Sequence, residues 1–100
     1  MREDRQRLDK WLWFARFVKS RTLAAKLVTE GFVRVNGQRA ETPAKAIAVG
    51  DVLTVAVSRT TAVVRVEALG LRRGPAMEAR RLYSDLGSPE GALVTAPGRG

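Results

Sequence analysis

Apolar residues recur at Leu8, Trp11, Leu12, Ala15 and Val18, and these intervals of three and four predict a helix over 8–17. Its opposite face carries Lys10, Trp13 and Phe17, with Phe14 on the flank. Lys19-Ser20-Arg21 interrupts the pattern, and Ser20 suits the N-cap of a second helix whose inward positions are Leu23, Ala24, Leu27 and Val28. Gly31 then stands just past that helix's end. From 32 to 35 the pattern alternates as in a strand, and Asn36-Gly37 is a strong hairpin signal because both residues tolerate positive φ.

A short return strand over 38–41 and a loop with Pro43 and Lys45 follow. Ile47 and Val49 lead to a second turn at Gly50-Asp51. Strands are predicted at 52–57 and 62–69, joined through Arg59 to Thr61. Pro75 fits the first position of a helix over 75–86, with Ala76, Ala79, Leu82, Tyr83 and Leu86 as a weak apolar stripe. The Gly- and Pro-rich stretch 87–100 is expected to be disordered. The order is that of an α+β domain: two N-terminal helices on a small antiparallel sheet, then a C-terminal helix packed on or beside it. The domain is assigned to 1–70, with its core at 7–57.

One hundred residues suffice for one modest core, and an apolar fraction of 45% argues for a folded chain. Eighteen Lys and Arg against ten Asp and Glu leave a net charge of +8, which favours a polyanionic partner. The absence of Cys and His excludes thiol catalysis, disulfides, imidazole chemistry and zinc-finger ligation. No apolar run approaches the roughly 20 residues of a membrane span, and the polar N-terminus lacks a signal-peptide core, so the cytoplasm is the expected compartment.

The cations change the picture most. Arg7, Lys10 and Arg16 belong to the first helix and its approach, Lys19, Ser20 and Arg21 to the link, and Lys26 to the second helix. Arg34, Asn36, Gln38 and Arg39 belong to the hairpin. Phosphates require Lys and Arg in fixed relative positions, and a helix N-terminus at Ser20 adds backbone N–H donors. Asn36 has a sufficient role in its turn, and Arg80-Arg81 either extends the face or is solvated. Trp11 belongs to the core, whereas Trp13 and Phe17 either stack on nucleic acid or are covered by the C-terminal helix or a strand. Asp9 suits the dipole of the first helix, and Asp51 suits its turn. No Ser or Asp has a candidate base beside it, so no catalysis, cofactor or metal is expected.

The strings Arg7-Leu8-Asp9, Ser20-Arg21, Gly31-Phe32-Val33-Arg34-Val35-Asn36-Gly37 and Gly50-Asp51, in that order, resemble the S4 RNA-binding domain, also called the alpha-L motif. Lys10-Trp11-Leu12-Trp13-Phe14-Ala15-Arg16-Phe17, Asn36-Gly37-Gln38-Arg39 and Leu71-Arg72-Arg73-Gly74-Pro75 are similar to the ribosome-associated heat shock protein 15 family. That resemblance implies binding to RNA of the large ribosomal subunit, with tRNA and nascent chain, in rescue or recycling under stress. It maps the RNA-binding residues to Arg7, Lys10, Arg16, Lys19, Ser20, Arg21, Lys26, Arg34, Asn36, Gln38 and Arg39. Some members carry a long, highly charged C-terminal extension, where this sequence has Gly and Pro.

The second reading is an accessory domain that docks on a separate RNA-modifying enzyme through Trp13 and Phe17. DNA is a secondary ligand. A membrane is not expected, because the apolar side of the first helix is claimed by the core. The chain is expected to be monomeric.

Overall fold

The computed structural model describes residues 4–57 and 60–87. A two-residue strand β1 (Gln6–Arg7) runs into helix α1 (Leu8–Phe14), and helix α2 (Arg21–Thr29) follows a loop. Next come β2 (Val33–Val35), β3 (Gln38–Arg39), β4 (Ala46–Ile47), β5 (Val52–Val57) and β6 (Thr60–Val66). A single helical turn α3 (Ala76–Ala79), a 3-10 turn (Arg80–Leu82) and strand β7 (Tyr83–Gly87) close the described chain. The main sheet is antiparallel with order β3-β2-β5-β6-β7, and β1 pairs with β4 as a separate ribbon. The α+β architecture expected from the sequence is present.

Leu8, Trp11 and Leu12 of α1 are fully buried with Ala24 and Val28 of α2, and against them lie Val33, Leu53, Val55, Val64 and Val66 of the sheet. These strands bury alternate residues because one face of the sheet meets the helices. The Asn36-Gly37 turn has φ of 52° and 85°, as the tight hairpin requires.

Helix α1 ends at Phe14, not at 17. Arg16 adopts φ 66°; its N–H bonds the Trp13 carbonyl (3.1 Å), and the Phe17 N–H bonds the Leu12 carbonyl (3.0 Å). This is the helix-ending arrangement that usually employs Gly. Gly31 does the same after α2, with Phe32 bonded to Leu27. Ending α1 there frees Phe17 to leave the helix and stack near Trp11, ring centroids 6.0 Å apart.

The C-terminal helix is also shorter than 75–86. Only Ala76–Ala79 is α-helical, and Tyr83–Gly87 instead pairs with β6. A continued helix would leave the outer edge of β6 with unpaired backbone groups; the strand pairs them, while Leu82 still reaches the core. The stretch 67–75 straps across α1. Trp11 Nε1 donates to the Ala68 carbonyl (2.9 Å), and the Gln6 amide both donates to and accepts from the Gly70 backbone. Gly70 lies so close to Phe14 that a Cβ there would stand 2.5 Å from the ring, and Phe14 is buried rather than flanking. Of the stretch 87–100 expected to be disordered, all beyond Gly87 lies outside the described residues, as does Arg59.

Candidate nucleic-acid interface

The start of α1 builds the first part of the site. Asp9 is almost wholly buried, 3% exposed, and its carboxylate takes two hydrogen bonds from Arg7, both at 3.1 Å. Arg21 Nε approaches the same carboxylate at 3.7 Å. One buried anion therefore holds two cations, from β1 and α2, whose side chains remain about half exposed. The Asp9 hydrogen bond, and then its charge, hold the Arg7 guanidinium still further into its charged range. A role for Asp9 confined to the helix dipole is thus too small. Helical periodicity places Asp9 on the flank, about 100° round from Leu8, so its burial was not legible in the sequence.

The hairpin builds the second part. Arg34 and Arg39 stand directly opposite each other on β2 and β3, both exposed. Like charges in that position disfavour a hairpin on their own, and a polyanion bound there would relieve the repulsion. The Arg39 guanidinium lies against Gly31, where a Cβ would come within 3.0 Å, so a hairpin cation is brought to the end of α2. Gly31 therefore supplies both its backbone angle and the missing side chain.

The link between α1 and α2 gives the third part. Ser20 is the N-cap of α2, its Oγ accepting from the Leu23 N–H (3.1 Å), which leaves the N–H groups of Arg21 and Thr22 at the open start of the helix. Arg16 donates from Nε to the Gly74 carbonyl (2.6 Å), so its Nη groups are aimed by both a strained backbone and the strap. Lys19 and Lys26 are exposed, and Lys10 sits over the Phe14 ring, 5.7 Å from its centroid. The strap brings Arg73 to the same link, Nη2 bonding the Val18 carbonyl (3.4 Å), a neighbour that helical periodicity could not reveal.

Asn36 is heavily engaged within the fold. Its Oδ1 accepts from the Val52 N–H (2.9 Å) and its Nδ2 donates to Asp51 (3.2 Å), clipping the hairpin to the Gly50-Asp51 turn. Gln38, by contrast, is exposed beside Arg39. Phe17 is half-buried against Tyr83, ring centroids 5.0 Å apart, and Trp13 is half-buried beside Phe14. The cover of Phe17 is Tyr83 of β7, not a long helix. Arg80 and Arg81 are exposed beside β7.

A family model for the S4 domain matches residues 6–53. The chain is 43% identical over 79 residues to heat shock protein 15 of Escherichia coli K12, a match covering 79% of this chain and 59% of that one. The chain thus spans about three fifths of the length of the curated relatives it matches at this level. It is 36% identical over 63 residues to the RQC P-site tRNA stabilizing factor of Bacillus subtilis, covering 63% of this chain and 72% of the relative. Among solved structures, heat shock protein 15 of Vibrio cholerae, described as trimeric, superposes with a TM-score of 0.79 at 37% identity, covering 90% of this chain and 88% of that one. With its helix pair, hairpin and strap in that arrangement, the chain belongs to the heat shock protein 15 family of S4-domain proteins.

Proposed function

We propose that this protein is a non-catalytic RNA-binding factor of the ribosome, acting on the large subunit with its tRNA and nascent chain during rescue or recycling under stress. The observation that carries the reading is the buried Asp9 holding Arg7 and Arg21 in fixed relation, with exposed surface on both guanidinium side chains. Fixed guanidinium groups suit phosphates of a folded RNA, whereas a mobile basic tail would bind any polyanion. The names of the E. coli and B. subtilis relatives support the stress and P-site tRNA elements of the proposal. Among the described residues no helix is long and apolar enough to cross a membrane.

If about six to eight of these cations meet phosphates, log K falls against log salt with a slope of roughly −5 to −7. The test is sedimentation with purified ribosomal subunits across a salt series. The wild type is expected to travel with the large subunit at low salt and leave it at high salt, and folded Arg21→Glu to stay behind throughout. Sedimentation with neither subunit at low salt sinks the ribosomal reading. Docking on an enzyme through Trp13 and Phe17 has less surface to use than the sequence pattern suggested, because both rings are half-buried within the fold. The monomer expected from the sequence stands against a relative described as trimeric, and sedimentation equilibrium of the RNA-free chain decides between them.

A further inference from the structure

Beside the hairpin, between β3 and the β1–β4 ribbon, lies an open cleft of about 480 Å³ that shares Gln38 and Arg39 with the cationic surface described above. Its volume falls within the roughly 300–1,000 Å³ of small-ligand sites. Arg5, Arg39 and Lys45 supply its positive rim, and Gln38, Glu41 and Thr42 supply polar groups that both donate and accept. The loop that forms one wall is pinned in place. The carbonyls of Pro43 and Lys45 take the first N–H groups of α1, at 3.1 and 2.9 Å, and the Lys45 N–H closes a turn on the Thr42 carbonyl (3.2 Å). A cleft held by the start of a helix needs little ordering when a ligand arrives.

Glu41 is the informative residue. It shares the cleft with three cations, yet it makes no hydrogen bond or ion pair among the described residues. A carboxylate there repels a phosphate and accepts from an amino group, whereas Arg39 and Lys45 attract a phosphate. Arg39 belongs both to the hairpin pair and to the cleft, which makes the cleft continuous with the proposed RNA face.

We propose that the cleft receives one unpaired nucleotide of the bound RNA, its phosphate on Arg39 and Lys45 and the exocyclic amine of its base on Glu41. Gln38 then completes the hydrogen bonding of the base edge. The inference rests on the RNA-binding reading and adds selectivity to it. Cytosine offers an amine where uracil offers a carbonyl oxygen, so cytosine is accepted and uracil disfavoured.

The test is NMR titration of the ¹⁵N-labelled full chain with cytidine and uridine 5′-monophosphates. Cytidine monophosphate should shift the Gln38 side-chain amide and the backbone of 38–46 and bind about fivefold more tightly than the uridine nucleotide. Glu41→Gln, which alters one exposed side chain, should remove that preference. Equal binding of the two nucleotides, or no response in 38–46 to either, overturns the proposal. A cytidine trinucleotide that binds no more tightly than the mononucleotide overturns the assignment to an RNA strand. Binding of structured RNA in a parallel salt titration separates the two levels: if it persists while the nucleotides fail, only the cleft proposal falls. If structured RNA also fails, the RNA-binding reading falls with it.

Discussion

Replacing Arg16 by Gly and by Ala separates backbone from side chain at the end of α1. Arg16 lies at φ 66°, a conformation that costs a residue with a Cβ about 1–2 kcal/mol. Its Nε bond to the Gly74 carbonyl, at 2.6 Å, returns about 0.5–1.5 kcal/mol. Arg16→Gly loses the bond and sheds the strain, so its stability should stay within about 1 kcal/mol of the wild type. Arg16→Ala loses the bond and keeps the strain, so it should fall by about 1 kcal/mol. The Gly variant should therefore melt roughly 4–8 °C above the Ala variant, the reverse of their order in a helix interior. Thermal and urea unfolding followed by circular dichroism measure the difference. Both variants lack the same guanidinium, so both should lower the salt slope of RNA binding by about one. If Ala proves as stable as Gly, the left-handed backbone assigned to Arg16 is wrong, and the account of why α1 stops at Phe14 goes with it.

Asp9→Asn raises the net charge from +8 by one unit, yet it should weaken RNA binding about tenfold, because Arg7 and Arg21 lose their common anchor. Tighter binding in fluorescence anisotropy would show that charge alone governs affinity. Asn36→Ala should lower unfolding free energy by about 1–3 kcal/mol through loss of its Val52 and Asp51 bonds, while the salt slope of binding stays as in the wild type. A changed slope would return Asn36 to the phosphate contacts. Gly70→Ala places a Cβ 2.5 Å from Phe14 and should destabilise the chain by about 1–3 kcal/mol, whereas Gly74→Ala meets only the flexible end of Glu78 and should cost less in the same melt. The hydrogen bond from Arg72 lowers the pKa of Glu78, so this exposed pair contributes above the unfolded-state pKa and loses its contribution as pH falls through the folded one; an NMR titration in which Arg72→Gln leaves Glu78 unmoved would refute the pairing.

How much could be read from the residues depended on the distance over which each feature is decided. Ser20, Gly31 and Asn36-Gly37 act through bonds to near neighbours or through their own backbone angles, and each stands where the pattern placed it. The early end of α1, the strap and β7 are decided across the chain: Trp11 bonds Ala68, Gln6 bonds Gly70, Arg16 bonds Gly74, and Tyr83 pairs with Val66. Helical periodicity carries no information about such partners, and the weak stripe at 75–86 gave way to an available sheet edge. The same division runs through the site. Which cations exist was plain from the sequence, but which of them are held was not, because the holding groups are a buried carboxylate, a strap carbonyl and a glycine's empty side. On the proposed reading, selectivity for a folded RNA over a generic polyanion would come from those held cations, since fixed charges match one spacing of phosphates and mobile charges match many. The residues that would make this surface specific are therefore Asp9, Gly31 and Gly74 as much as the arginines they position.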